Sequence, residues 1–276
     1  MKKPEVVTGV AALRAALAAW KPARVGMVPT MGALHEGHVS LVRAARAASE
    51  RVLVSIFVNP AQFAPHEDFA SYPRDLEADL AKLDDADLVF VPETSEIYPE
   101  GYATSISVGG PSAGLESDFR PHFFSGVATV VGKLLIAAMP DLALFGEKDY
   151  QQLLVVRRLA RDLALPTEIV GAPIVREADG LALSSRNAYL SQAERKIAGG
   201  LNVILKDVIA RAKNGGLRAA EAACAAALKE AGFDSVDYVA IRDAENLAVI
   251  DTLARPARVL AAAKVGRTRL IDNMAL

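Results

Sequence analysis

The chain contains a single cysteine, Cys224, among its 276 residues. One cysteine excludes an internal disulfide framework and any metal site built from several thiolates. The low cysteine content suits a reducing compartment, and we therefore expect a cytoplasmic protein. Cys224 lies in the alanine-rich segment EAACAAALKEAG, where we expect it to pack a helix.

A strong charge imbalance and long apolar runs are also missing. The 31 basic and 33 acidic residues leave a net charge of −2. No broad field would attract nucleic acid, so an anion must bind at a local site. No apolar run approaches the roughly 20 residues that cross a bilayer. Near the start, Glu5 and Arg14 interrupt the apolar residues, which predicts an amphipathic helix rather than a secretory signal. We expect neither a nucleic-acid nor a membrane partner.

Two common nucleotide-binding motifs are absent from the sequence. The segment GVATVVGKLL has the wrong glycine spacing for a Walker P-loop and lacks the following Ser or Thr. The dinucleotide fingerprint GxGxxG does not occur. Hydride transfer with a dinucleotide is therefore not expected.

Periodicity predicts an α/β protein with two folding units. Short apolar runs alternate with longer helical patterns, which is typical of a doubly wound, Rossmann-like parallel sheet. The alternation weakens near Arg176, so we predict a first domain over residues 1–175 and a smaller α+β domain over 176–276. The predicted strands are VGMVPT as the first, then RVLVSIFV, DLVFVP, DLALFG, TEIVGAPIV, DYVAIRD, RVLAAAKV and TRLID; the predicted helices cover about 36–49, LEADLAKLDDA, about 124–138, DYQQLLVVRRLARDLAL, about 193–213 and about 219–231.

Two of the four histidines, His35 and His38, lie three residues apart in PTMGALHEGH, between a predicted strand and a predicted helix. On a first helical turn they share a face and can direct N–H groups at one ligand. The amides of a helix start favour an anion there, and Gly32 and Gly37 allow phosphate to approach the backbone. A polyphosphate fits this pattern. The alternatives are a zinc site, which lacks a third ligand, and a purely structural pair.

Cationic and hydroxyl groups in two other segments could complete a phosphate site. Lys148, in GEKDYQQL, follows a predicted strand, where open α/β sheets bind ligands. In LALSSRN, Ser184 and Ser185 can donate hydrogen bonds, and Arg186 can bind phosphate with its planar fork. Taken alone, each of these groups is commonly found on a protein surface without a function. The loop NPAQFAPHEDFASYPRD is long enough to be a lid or a binding loop.

These segments together resemble the pantothenate synthetase family of HxGH nucleotidyltransferases. The resemblance rests on PTMGALHEGH, SIFVNPAQF, YPRD, GVATVV, GEKDYQQL and DGLALSSRN, in this order, over roughly residues 25–190. It implies that pantoate attacks the α-phosphate of ATP and releases pyrophosphate. The amine of β-alanine then converts the pantoyl adenylate to pantothenate and AMP. Since both nucleophiles come from substrates, catalysis needs alignment and charge stabilisation rather than a protein nucleophile.

The resemblance also implies a set of site residues. The implied catalytic residues are His35, His38, Lys148, Ser184, Ser185 and Arg186, with His38 as the proton donor. Gln62 and Gln152 would bind pantoate, whose methyl groups would pack on apolar side chains. The implied ATP-binding residues are Met31, Gly32, Ala33, Leu34, His35, Glu36, Gly37, His38, Gly146, Glu147, Lys148, Asp149, Val175, Leu183, Ser184, Ser185 and Arg186; the implied apolar wall is Met31, Phe57, Val127, Val130 and Val131. Without the family, the three valines would equally be helix core.

Mg²⁺ is expected with ATP, because it offsets charge where two anions meet. Asp79 is its candidate ligand, although a solvated helix face is an equal reading of LEADLAKLDD. A homodimer and closure of the second domain over ATP are implied by the family. We also predict that the pKa of His38 rises when ATP binds, since a helix start disfavours imidazolium whereas triphosphate favours it.

The chain departs from the family pattern at two positions. His122, in RPHFF, stands one place earlier than the family's histidine, and Ser125 replaces a basic residue found in some relatives. No role is carried onto His122. The alternative functions are another HxGH nucleotidyltransferase acting on a phosphorylated small molecule and a nucleotide-binding module without turnover.

Overall fold

Parallel strands and crossover helices form the first part of the chain in the computed structural model, which describes residues 3–64, 67 and 69–276. The strands of this sheet carry mostly Val, Ile, Leu and Phe at their buried positions, as expected when both faces are covered. Within the described residues the strands of this sheet are β1 (Glu5–Val7), β2 (Val25–Thr30), β3 (Arg51–Ile56), β4 (Leu88–Phe90), β5 (Leu142–Gly146) and β6 (Glu168–Ala172).

The strand order β1-β4-β3-β2-β5-β6 places the switch of direction between β2 and β5. From β2 the chain adds β3 and β4 on one side, and it later returns to add β5 and β6 on the other. In the register of this pair, Gly26 lies opposite Leu142. Ligands of doubly wound sheets bind outside the carboxyl ends of the strands at such a switch. The loops after β2 and β5 therefore lie side by side where a ligand is expected.

Helices cover both faces of the parallel sheet. Helix α6 is almost wholly apolar and packs between the sheet, α1 and α7, while α2 covers the opposite face. The helices before β6 are α1 (Val10–Ala19), α2 (Glu36–Ala48), α3 (Leu76–Leu80), α4 (Thr94–Ile97), α5 (Glu116–Phe119), α6 (Phe123–Ala138) and α7 (Tyr150–Asp162). The part of the chain that the structure describes has no helix long and apolar enough to span a bilayer.

The second unit has its own sheet and core. Its three strands pair antiparallel in the order β7-β8-β9, and two long helices pack on one face around Leu201, Leu205 and Val259. Cys224 is buried in this core, as predicted, and burial raises the pKa of its thiol to about 12. The elements are α8 (Gln192–Gly215), α9 (Leu217–Glu230), β7 (Ser235–Asp243), β8 (Ala257–Val265) and β9 (Thr268–Ala275).

The predicted α/β class with a smaller α+β unit is confirmed, but several elements differ from the prediction. The helices α4 and α5 lie where no helix is predicted, and the strand predicted over TEIVGAPIV ends at Ala172. VGMVPT is the second strand, because β1 precedes α1 and pairs with β4 in a register that sets Glu5 opposite Leu88. The helix predicted over LEADLAKLDDA is wrong beyond Leu80, where Asp84 and Asp85, poor helix formers, follow. The boundary at residue 175 stays a prediction.

Candidate functional site

A cavity of about 900 Å³ opens at the carboxyl ends of β2 and β5. Its walls come from both units: Thr30 and Lys148 lie on one side, and Arg186 and Asn273 lie on the other. The switch point of the sheet and the second unit together enclose it, so its contents would be partly shielded from water.

The two histidines of PTMGALHEGH cap the start of α2. His35 is the N-cap residue, and its Nδ1 accepts a hydrogen bond of 3.1 Å from the backbone N–H of Gly37. Nδ1 of His38 accepts in turn from the backbone N–H of His35 at 3.3 Å. The ring centroids are 4.1 Å apart. A neutral imidazole whose Nδ1 accepts carries its proton on Nε2. Both rings can therefore donate from Nε2, although only His38 lines the cavity.

Both imidazoles are held neutral in the free protein. Burial, together with the Lys148 ammonium, lowers the pKa of His35 to about 4. Burial, the His35 ring and the Lys148 ammonium lower the pKa of His38 to about 3. At neutral pH the pair consists of two hydrogen-bond donors without net charge.

Asp79 holds the loop between β2 and α2. Its carboxylate, 2% exposed, accepts hydrogen bonds from the backbone N–H groups of Ala33 at 2.9 Å and Leu34 at 2.7 Å. Gly32 and Ala33 have φ of +81° and +51°, which is the left-handed region that needs such support. The alternative prediction, that Asp79 lies on a solvated helix face, is therefore wrong.

The geometry of Asp79 bears on the metal prediction as well. Asp79 does not line the cavity, and the described residues include no group of three or more His, Cys, Asp or Glu side chains able to hold a metal. Its assignment as a Mg²⁺ ligand stays a prediction.

Lys148 lies in a 3-10 turn, Glu147–Asp149, directly after β5, and lines the cavity with its Nζ 3.5 Å from Oδ2 of Asp149. Side chains of the second unit hydrogen-bond to this turn. The Nδ2 group of Asn273, on β9, donates to the carbonyl oxygens of Glu147 and Lys148, both at 2.9 Å. Arg258 hydrogen-bonds Asn273 and lies 3.2 Å from the Glu147 carboxylate. The second unit thereby sets the orientation of the Lys148 backbone.

The SSR segment crosses from the second unit to the histidine loop. Ser185 Oγ donates to the carbonyl oxygen of Ala33 at 3.1 Å. Ser184 begins the 3-10 turn Ser185–Tyr189, because its Oγ accepts from the backbone N–H of Arg186 at 3.3 Å. Ser184 and Arg186 line the same cavity as His38 and Lys148.

Apolar side chains and amides line the part of the cavity next to α6. The three valines of GVATVV occupy one helical face at i, i+3 and i+4, and they are both core and cavity wall. Gln151 and Gln152 both line the cavity, but the Nε2 group of Gln151 already donates to the Pro111 and Gly114 carbonyls at 3.0 and 3.1 Å. The predicted pantoate residues that line the cavity are Met31, Phe57, Gln62, Val127, Val130, Val131 and Gln152.

Several predicted ATP residues do not line the cavity. Leu183 donates its backbone N–H to the carbonyl oxygen of Val175 at 3.0 Å, so these two shape the strand-like approach to the SSR turn. The predicted ATP-binding residues that do not line the cavity are Gly32, Ala33, Leu34, His35, Glu36, Gly37, Gly146, Glu147, Val175, Leu183 and Ser185.

An ion-pair network that the sequence did not indicate closes another wall. Arg120 contacts Glu67 at 2.7 Å and Glu116 at 3.2 Å, and it donates to the carbonyl oxygen of Gln62 at 3.0 Å. Arg269 of β9 reaches Glu116 at 2.8 Å. The network ties the second unit to the loop that carries Gln62. No local pattern reveals it, because the partners are up to 153 residues apart.

The loop predicted to be a lid, residues 59–75, contributes Phe63, Ser71 and Tyr72 to the cavity wall. Three of its residues, Pro65, His66 and Asp68, lie outside the described ranges.

The two departures from the family pattern have structural positions. His122 precedes α6 and does not line the cavity, and Ser125 Oγ donates to the Ile106 carbonyl at 3.2 Å.

The spacing of a nucleophile elbow, GxSxG, occurs in GPSAG (residues 110–114). The Ser112 hydroxyl donates to the Val108 carbonyl, however, and no strand directly precedes this segment. This serine is not placed as a nucleophile.

Comparison with known proteins gives one family. A family model described as Pantoate-beta-alanine ligase matches residues 5–275. The pantothenate synthetase of Mesorhizobium japonicum is 59% identical over 280 residues, which cover 99% of this chain and 98% of the relative. A crystal structure of pantothenate synthetase from Thermus thermophilus is similar, with a TM-score of 0.92 and 48% identity over 98% of each chain.

A third comparison concerns a structure with ligands. The pantoate-beta-alanine ligase from Francisella tularensis, complexed with "Beta-gamma ATP and Beta-alanine", has a TM-score of 0.83 and 32% identity over 98% of this chain and 97% of that one. By the full-length match of the family model and these relatives, this chain belongs to the pantoate–β-alanine ligase family, the pantothenate synthetases.

Proposed function

We propose that the chain joins pantoate to β-alanine in two steps at the cavity between its units. The pantoate carboxylate attacks the α-phosphate of ATP, forming pantoyl adenylate and releasing pyrophosphate. The β-alanine amine then attacks the acyl carbon, loses a proton and displaces AMP, giving pantothenate.

One observation carries the proposal: donors for phosphate and a wall for a branched acid occur in one cavity. His38, Lys148 and Arg186 supply the donors, and Gln62 with the valines of α6 supplies the other wall. A nucleotide and a small acid bound there would meet, which converts a bimolecular reaction into an oriented one.

The protein residues act on charge and position. Lys148 and Arg186 stabilise negative charge that develops at the α-phosphate, and His38 donates a hydrogen bond from Nε2 to the phosphate chain. Ser184 and Ser185 hold the SSR turn over the nucleotide. Gln62 and Gln152 orient pantoate through their amides, and its methyl groups pack on α6.

Mg²⁺ is proposed as the metal that accompanies ATP. Phosphate oxygens and one or two carboxylates would hold the ion, which would neutralise phosphate charge there. Asp149 fits this role, since its carboxylate is half exposed and lines the cavity beside Lys148. Asp79 fits less well, because both of its oxygens already accept backbone N–H groups.

Closure of the second unit is the conformational part of the proposal. The bond from Ser185 to Ala33 and the grip of Asn273 on the turn of Lys148 join the units at the nucleotide end. Crystals of the empty and adenylate-bound protein with identical unit orientations would contradict closure. A homodimer in the cytoplasm is the proposed state in the cell, and light scattering of the purified chain tests the dimer.

A substrate-omission assay tests the reaction. With ATP, Mg²⁺, pantoate and β-alanine, AMP and pyrophosphate should form in equal amounts. Without β-alanine, a single burst of pyrophosphate close to the enzyme concentration is expected, and without pantoate none. Formation of ADP would exclude the adenylate route. Turnover with a phosphorylated acceptor alone would favour the hypothesis of another HxGH nucleotidyltransferase.

A further inference from the structure

Three hydrogen-bonded side chains lead from a tyrosine outside the cavity lining to the cavity. Tyr98 Oη donates to Asn59 Oδ1 at 2.7 Å, and Asn59 Nδ2 donates to Gln62 Oε1 at 2.9 Å. Of the three residues, only Gln62 lines the cavity. The orientation of its amide therefore depends on groups that do not touch substrate.

The orientation of the Asn59 amide is determined by two backbone groups. Its Oδ1 accepts from the N–H of Ala61 at 3.3 Å, and its Nδ2 donates to the carbonyl oxygen of Gly126 at 3.1 Å. A backbone N–H can only donate and a carbonyl can only accept. A flipped Asn59 amide would set donor against donor and acceptor against acceptor in a site that is 1% exposed.

The fixed Asn59 amide determines what Gln62 offers to a ligand. Because Oε1 of Gln62 accepts from Asn59, its Nε2 group is the end left for the cavity, and this end only donates. We propose that Tyr98 is a positioning residue: the two backbone groups set the direction of the Asn59 amide, the Tyr98 hydroxyl holds that amide in place as its further partner, and the held amide makes Gln62 a dedicated donor to the oxygens of pantoate. This inference rests on the proposed function, since it assigns the ligand of Gln62.

Close packing keeps the three residues in register. The turn Pro60–Gln62 lies so near α6 that a Cβ on Gly126 would come within 2.2 Å of the Ala61 oxygen. The Tyr98 ring packs against Phe57 and Tyr102, with centroid distances of 6.3 and 5.0 Å. Burial raises the pKa of Tyr98 to about 12, so its hydroxyl keeps the proton that it donates.

A pair of matched tyrosine substitutions tests the proposal. Tyr98→Phe removes the hydroxyl that holds Asn59 but keeps the ring. Tyr102→Phe is the control, because the Tyr102 hydroxyl is buried and has no hydrogen-bond partner among the described residues. In Tyr98→Phe we expect the KM for pantoate to rise roughly tenfold, as for loss of one oriented hydrogen bond, with a smaller change in kcat and none in the KM for ATP. Equal KM values for pantoate in the two variants would overturn the proposal.

A second variant tests the direction of the amide without touching Tyr98. Gln62→Glu keeps an acceptor for Asn59 but presents an anion to the cavity in place of the donor. We expect calorimetry to show loss of pantoate binding, and retained binding would refute a donor-only Gln62. Failure of the proposed function is separate: wild-type protein would then show no pyrophosphate release with pantoate, whatever the variants do.

Discussion

Ser185 Oγ donates a 3.1 Å hydrogen bond to the carbonyl oxygen of Ala33 and so joins the second unit to the histidine loop. Ala33 is also the residue whose backbone N–H binds Asp79. A single residue of the loop is thus fixed from both units. The position of the His35–His38 pair depends on contacts outside its own helix.

Replacing Ser185 by Ala should weaken nucleotide binding more than it destabilises the fold. The hydrogen bond is partly buried and uncharged, so its loss costs on the order of 1 kcal/mol, which predicts a several-fold higher KM for ATP. Ser191→Ala is the matched control, since Ser191 caps α8 outside the cavity. Steady-state kinetics on both variants make the comparison. A normal KM for ATP in Ser185→Ala would contradict the role of this contact.

Asp79→Asn separates loop support from metal binding. Asparagine keeps one acceptor but sets an N–H₂ group against a backbone donor, and we expect the free energy of unfolding to fall by roughly 1–3 kcal/mol. ATP binding should weaken both with and without Mg²⁺. Urea unfolding and calorimetry with and without EDTA provide the measurements. Weaker binding only when Mg²⁺ is present, with unchanged stability, would assign Asp79 to the metal instead.

Asn273→Ala should release the turn that carries Lys148. Two hydrogen bonds of 2.9 Å to the carbonyls of Glu147 and Lys148 disappear. We expect kcat/KM to fall roughly tenfold or more, because displacement of a positioned charge strongly affects catalysis. Asn246→Ala is the control, since the Asn246 side chain makes an exposed bond to Ala248 away from the cavity. Parallel losses of activity in both variants would indicate a general effect on folding.

These contacts show where sequence reasoning succeeds and where it stops. Apolar runs in the sequence indicate the buried strands. The segments around His38 and Lys148 are recognisable because phosphate chemistry needs particular residues at fixed spacing. Asn273 carries no such signal, because its partner turn is 125 residues distant and any polar side chain on β9 would look the same. The buried position of Asp79 is not visible in the sequence for a related reason. Its helix has a polar pattern, but the carboxylate turns inward to satisfy backbone groups.

The stability of the protein should fall with acidification because His38 is buried as the neutral ring. Its pKa is about 3 in the folded protein against 6.5 for an exposed histidine. Between these values the unfolded chain binds a proton that the folded chain does not, so the free energy of unfolding decreases as the pH falls below 6.5. The contribution reaches at most about 1.4 kcal/mol per pH unit. In urea unfolding at pH 7 and pH 5, His38→Gln should lose less stability than the wild type, and an equal loss would contradict the assignment.

Binding of ATP should raise the pKa of His38, because a triphosphate brings negative charge next to a ring whose neighbours in the free protein are cationic. In the free protein, burial, His35 and Lys148 together hold the pKa near 3, so the ring signals should not titrate between pH 7 and pH 5. With a non-hydrolysable ATP analogue the phosphate oxygens favour the imidazolium form. An NMR titration of the His38 ring protons, assigned with His38→Gln, should then show a midpoint that moves upward. A titration curve unchanged by the analogue would mean that the phosphates do not reach His38, and its proposed role as a phosphate donor would fail with it.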